Sequence, residues 1–237
     1  MSAVSTPAFV RRLRSGWLAA AALALAWGLG GCGTRPPAPD WQVNAHGAVQ
    51  RATQAELEGR ARVAQLEWDR ARRETARTAD ATWVARVALT ECAIRQAALD
   101  LAPCDAFLAL APGAAEADRA YHRWLLAQPL AGDAPALPPA YRPWVQAWPL
   151  AEGTDTAARL VAMDDPVARL IAASVLLRAQ RLDAAGVQAA VDTASGQGWR
   201  RPLLAWLRVQ RQRAGQVGDS ALRDAVQRRL DLLDGAR

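Results

Sequence analysis

Residues 46–77, HGAVQRATQAELEGRARVAQLEWDRARRETAR, contain no proline and are rich in Ala, Arg, Glu and Gln, which lose little on entering a helix. Leu57, Ala61, Ala64, Trp68 and Ala71 recur at steps of three and four, with Arg60, Arg62, Glu67, Arg70 and Arg73 between them. That spacing predicts one long amphipathic helix with an apolar stripe on one side and arginines on the other. The arginine face is expected to be solvated and laced with acid pairs such as Glu58 with Arg62. Contact with a membrane surface is the alternative for it.

The same period continues downstream. Asp80 is placed to cap a second helix carrying Trp83, Val87, Thr90, Ile94, Ala97 and Leu101 inward, and the short link predicts an antiparallel hairpin. A third helix is expected over 114–128, with Tyr121, Trp124 and Leu125 facing the core. Together these make an N-terminal helical domain over 46–128. Residues 129–150 hold Pro129, Pro135, Pro138, Pro139, Pro143 and Pro149, which exclude a continuous helix and suggest a junction between halves. Within it Tyr141, Trp144 and Trp148 share one face at spacings of three and four. If exposed, they form a partner or glycan patch; otherwise they plug the junction.

Residues 151–237 resume helical spacing: 156–163, then Asp165 as a cap with Pro166 at the first helical position, then a run to Arg178. Further helices are expected over 187–194, 203–213 and 220–233, with Arg200 and Arg201 in a loop just before a helix N-terminus, a solvated loop whose geometry would also suit an anion. No strand-like alternation occurs, so the fold class is all-α, built from antiparallel helical hairpins. Arg178-Ala179-Gln180 and Arg213-Ala214-Gly215 recur 35 residues apart. This period resembles tetratricopeptide-type hairpins, which implies a short solenoid.

The chain has 29 basic and 23 acidic residues, every base being Arg, and a half-apolar composition that is neither disordered nor cysteine-dense. Arg11, Arg12 and Arg14 precede an apolar run from Trp17 to Leu29. The run is too short for a spanning helix and has the layout of a secretory signal over 1–31. It ends in Leu29-Gly30-Gly31-Cys32, which resembles the lipobox of bacterial lipoproteins. The resemblance implies a diacylglycerol on the Cys32 sulfur, cleavage before it and acylation of the new amine. Gly33 stands where an Asp would resemble an inner-membrane retention signal, so the family rule implies the outer membrane, facing the periplasm. Residues 32–45, with Pro36, Pro37 and Pro39, read as a stiff tether. Loss of three arginines with the signal leaves 26 bases against 23 acids, a net +3, so basicity does not argue for nucleic acid.

Lipidation would use one of three cysteines, and the oxidising compartment favours a disulfide between Cys92 and Cys104. Two buried thiols are the alternative, and neither CxxC spacing nor a nearby His favours a redox or metal role. The pattern Trp83, Ala85-Arg86, Leu89, Cys92-Ala93, Ala98, Cys104 and Phe107 resembles a group of proteobacterial lipoproteins sharing this Cys-spaced helix end, with Trp41, Asn44-Ala45 and the run Gly198 to Leu203 extending the likeness. That resemblance implies no activity.

No catalytic or metal constellation is legible. His46 and His122 lack a nucleophile or metal spacing, Asp164-Asp165 reads as helix capping, and Glu91 is expected to pair with Arg95 in its own helix. No cofactor beyond the lipid on Cys32 is expected. The expected function is a membrane-tethered structural or interaction module contacting envelope proteins; the alternative is a cell-wall glycan-binding or cell-wall-modifying protein. An exposed cleft joining Glu91 or Glu152 to Trp144 and Trp148 would favour the latter.

Overall fold

A computed structural model describes residues 37–235. The expected signal, the Cys32 lipidation site and the first part of the tether lie outside these residues. Helix α1 (Asp40–Glu58) starts directly after Pro39, so residues 40–45 of the expected tether are its first turns. Asp40 there complements the partial positive charge of the helix N-terminus. Ala45, Ala48, Ala52 and Ala55 form its buried stripe, and small side chains let α2 (Ala61–Ala76) approach closely.

The long helix predicted over 46–77 is therefore two helices. Gly59 adopts φ 84°, donating its N–H to Glu56 O at 3.2 Å while Arg60 N–H reaches Ala55 O at 2.8 Å. This closure needs a left-handed residue, which glycine supplies without a Cβ penalty. The chain reverses there, and Arg51 meets Glu67 across the two helices at 2.8 Å.

Helix α3 (Ala81–Ala97) follows, with the Asp80 carboxylate accepting from Thr82 N–H as expected of a cap. It packs on α1 and α2. After the short α4 (Asp105–Leu108), α5 (Glu116–Leu125) ends earlier than the 114–128 span predicted. Ala127, at φ 59°, turns the chain there, with Gln128 N–H on Arg123 O.

The proline-rich stretch folds into 3₁₀ turns at Ala134–Ala136 and Pro139–Tyr141 and a single helical turn, α6 (Arg142–Gln146). The remaining helices are α7 (Thr156–Val161), α8 (Pro166–Arg178), α9 (Ala184–Gly196), α10 (Arg200–Gln216) and α11 (Ser220–Gly235). Asp155, Asp165 and Asp183 cap α7, α8 and α9. From α8 onward neighbours pack antiparallel, as the links Arg169 to Thr193, Gln210 to Gln188 and Arg211 to Gln227 record. All elements among the described residues are helical.

The proline-rich stretch is not a boundary between two cores. One apolar cluster runs from Ala48 to Leu230 and includes Leu137, Tyr141, Trp144 and Val145 of that stretch. The chain from Pro39 onward is one compact unit. Helices distant in sequence also meet, α3 with α8 and α1 with α10. This departs from a one-dimensional stack, in which each hairpin touches only its neighbours.

Candidate functional site

Cys92, late in α3, and Cys104, the residue before α4, are joined by a disulfide, with 5.7 Å between their Cα atoms. Between them Leu99 adopts φ 61°, and Asp100 N–H closes on Arg95 O at 3.2 Å. A left-handed non-glycine residue costs roughly 1–2 kcal/mol, and the covalent link holds the reversal in place.

The disulfide borders a cleft of about 350 Å³ lined also by Arg72, Glu91, Arg95 and Asp100. Glu91 does not pair with Arg95. Its carboxylate accepts from Arg72 of α2, which also holds Asp69 at 2.6 Å. Arg95 instead donates to Asp100 at 2.9 and 2.6 Å, because the turn at Leu99 brings Asp100 back over the helix end. Arg201 lies 3.6 Å from Asp100 and also pairs with the buried Glu56. Arg200 and Arg201 are the first residues of α10 and not a loop, and Arg200 donates to Leu233 O at 3.0 Å. Arg201 is committed to Glu56 and Asp100 and one Arg200 amine to Leu233 O, while Arg200 Nε is buried without a partner among the described residues. Glu56 was legible as a clue: it stands four residues after Ala52, at the edge of the alanine stripe, and a carboxylate there requires a partner.

The aromatic face at 141–148 points inward. Tyr141 and Trp144 are 4% and 2% exposed, so they are not an exposed partner patch, and the interior role is the one the burial gives. Tyr141 stacks on Tyr121 with centroids 5.5 Å apart, while Trp124 lies 5.7 Å from both Tyr141 and the half-buried Trp148. The Arg159 guanidinium sits 4.5 Å from the Trp144 ring centroid. Turning one ring face toward Trp124 buries more apolar surface than an exposed patch would. Burial pushes the Tyr121 hydroxyl up to about 12 and moves Tyr141 in the same direction. Arg123 anchors this layer by donating to Asp133 at 2.9 and 2.5 Å, and holds that carboxyl below its ordinary range.

The other residues singled out in the sequence are dispersed. His46 is exposed on α1, and His122 lies 4.9 Å from Phe107, its pKa lowered by burial and by Arg123 and Arg178. Asp165 accepts from Val167 N–H at 2.9 Å, and Asp164 is exposed beside it. Glu152 borders a second, open cavity of about 590 Å³ with Asp155 and Asp183, both of which cap helices. Neither cavity includes Trp144 or Trp148. Among the described residues no three His, Cys, Asp or Glu side chains are grouped so as to hold a metal. No helix among them is long and apolar enough to cross a membrane.

Many arginines are engaged by backbone carbonyls. Arg142 donates to Leu137 O, Arg159 to Pro143 O, Arg169 to Met163 O, Arg178 to Leu101 O and Arg213 to Leu182 O. Several of these acceptors lie at or just beyond helix ends, where carbonyls lack an intrahelical donor. Compared with known proteins, the chain matches no family model, no curated protein and no solved structure.

Proposed function

We propose that the chain is a lipoprotein of the bacterial outer membrane, held by a diacylglycerol on Cys32 with its helical part in the periplasm. That part serves as a structural or protein-interaction module of the envelope. The observation carrying this reading is the order of residues 11–32: arginines, a short apolar run, then Leu29-Gly30-Gly31-Cys32. Only a thiol accepts the lipid, and the glycines before it admit a protease. The Cys92–Cys104 disulfide supports the same compartment, since paired cysteines persist where the surroundings are oxidising.

The non-catalytic part of the reading is supported by how the polar groups are used. A general acid must hold a proton within reach of a substrate. Glu91 instead accepts from Arg72, and the capping aspartates accept from backbone amides. The burial of Tyr141 and Trp144 removes the platform on which a sugar ring would stack. Metabolic labelling with palmitate, comparing the natural chain with Cys32→Ala, tests the anchor: label on the first and none on the second is expected. Equal labelling, or none on either, overturns it.

A further inference from the structure

The buried residues of α2 are Ala64, Trp68, Ala71 and Thr75. On the opposite side stand Arg62, Val63, Leu66, Arg70, Arg73 and Arg77, all exposed. At about 100° per residue, these six fall within an arc of about 100°, and no acid lies inside it. The carboxylates at either edge are engaged: Glu67 with Arg51, Asp69 with Arg72 and Glu74 with Arg77. Arg62, Arg70 and Arg73 make no close ion pair among the described residues; Arg70 and Arg73 act on Glu67 and Asp69 only through the longer-range field, and those carboxylates are bonded to Arg51 and Arg72. Between them Leu66 is 67% exposed and Val63 39%. On α11, by contrast, the exposed Arg228 has Asp224 and Asp231 at helical spacing on either side.

We propose that this face of α2 lies on the anionic phospholipid surface of the membrane that carries the Cys32 lipid, which rests on the anchor reading above. Guanidinium groups match phosphate oxygens in charge and geometry, and exposed Leu and Val among them suit the headgroup layer. The reach of the chain selects the membrane over an acidic protein. From Cys32 to Asp40 there are eight residues, which span at most about 28 Å. Because α1 and α2 run antiparallel about Gly59, with Arg51 on Glu67, the chain enters α1 at the end of the hairpin where Arg77 stands. Trp41 and Trp83 meet edge to face at that end, with centroids 5.5 Å apart and both half-buried. Tryptophan in such a place suits a membrane–water boundary.

The test uses the full chain, purified and reconstituted into vesicles of phosphatidylcholine alone or mixed with phosphatidylglycerol. A nitroxide on Leu66→Cys reads immersion by oxygen against nickel accessibility, and one on Val217→Cys, a position 80% exposed, serves as the aqueous control. With phosphatidylglycerol present, the label at 66 is expected to become shielded from nickel while that at 217 stays in water. Raising the salt reverses this, and each Arg→Gln change at 62, 70 or 73 lowers the ratio of docked to undocked protein about fivefold. Equal water access at both positions in the charged vesicles overturns the proposal, as does shielding that depends on protein concentration, which would place a second copy there. Intact mass of the same sample reports the acyl chains on Cys32 separately, so failure of the anchor is not mistaken for failure of the dock.

Discussion

The indole Nε1–H of Trp206 donates to the carbonyl oxygen of Ala97 at 3.1 Å, joining α10 to the end of α3 across 109 residues of sequence. Ala97 closes its helix, where a carbonyl has no intrahelical donor, so the indole satisfies a group that would otherwise be buried unpaired. Trp206 is wholly buried. Trp206→Ala is expected to destabilise the fold by about 3–5 kcal/mol, and Trp206→Phe, which keeps most of the volume but not the donor, by about 1–3 kcal/mol. Urea denaturation followed by circular dichroism reads both; a Phe variant as stable as the natural chain would show that the hydrogen bond contributes nothing.

The Cys92–Cys104 link closes a separation of 12 residues. In the chain-entropy account such a loop restricts the unfolded ensemble by about 3 kcal/mol. Cys92→Ser with Cys104→Ser is expected to lower the urea midpoint accordingly, and dithiothreitol should have no further effect on that variant.

Tyr121 and Tyr141 are the two tyrosines of the chain, and both are held neutral by burial, Tyr121 up to about 12. A raised folded pKa means stability is fully present below the unfolded value near 10 and is lost as pH rises through the folded value. Phenolate absorbance should therefore be nearly absent at about pH 10.5 in the folded chain and appear together with loss of helical signal at higher pH. A half-titrated, fully helical protein at that pH would contradict the packed aromatic layer.

Asp133 carries the opposite sign. Arg123 lowers its pKa by hydrogen bonding, outweighing desolvation, so its contribution is present above the unfolded value near 3.9 and is lost as pH falls through the folded value. Asp133→Asn is expected to be less stable than the natural chain at neutral pH and to lose less on going to about pH 3. Parallel pH dependences for the two chains would remove the Arg123 pair as a stabilising contact.

Much of the architecture was legible because helical periodicity and capping are local. Asp80, Asp165 and Pro166 mark helix starts where the structure has them, and the cysteines were close enough in sequence for pairing to be read. Gly59 was hidden inside an otherwise helical run, since a glycine there reads equally as a weak helical residue or as a left-handed stop. Spacing alone pairs Glu91 with Arg95, whereas its partner, Arg72, comes from another helix. The prolines of 129–150 signalled a break in helix but not the burial of Tyr141 and Trp144: Tyr141 packs on Trp124 arriving from α5, and Arg159 lies over the Trp144 ring. In the arginine arc of α2, Asp69 and Glu74 take local partners three residues on, Arg72 and Arg77, while the pairing of Glu67 with Arg51 of α1 required the fold.

Anchoring is tested most directly by the mass of the N-terminal peptide of the chain extracted from outer membranes. The account predicts a peptide beginning at Cys32, carrying a diacylglyceryl thioether and an amide-linked acyl chain. A peptide that reads through Gly31 into an unmodified Cys32 would contradict it.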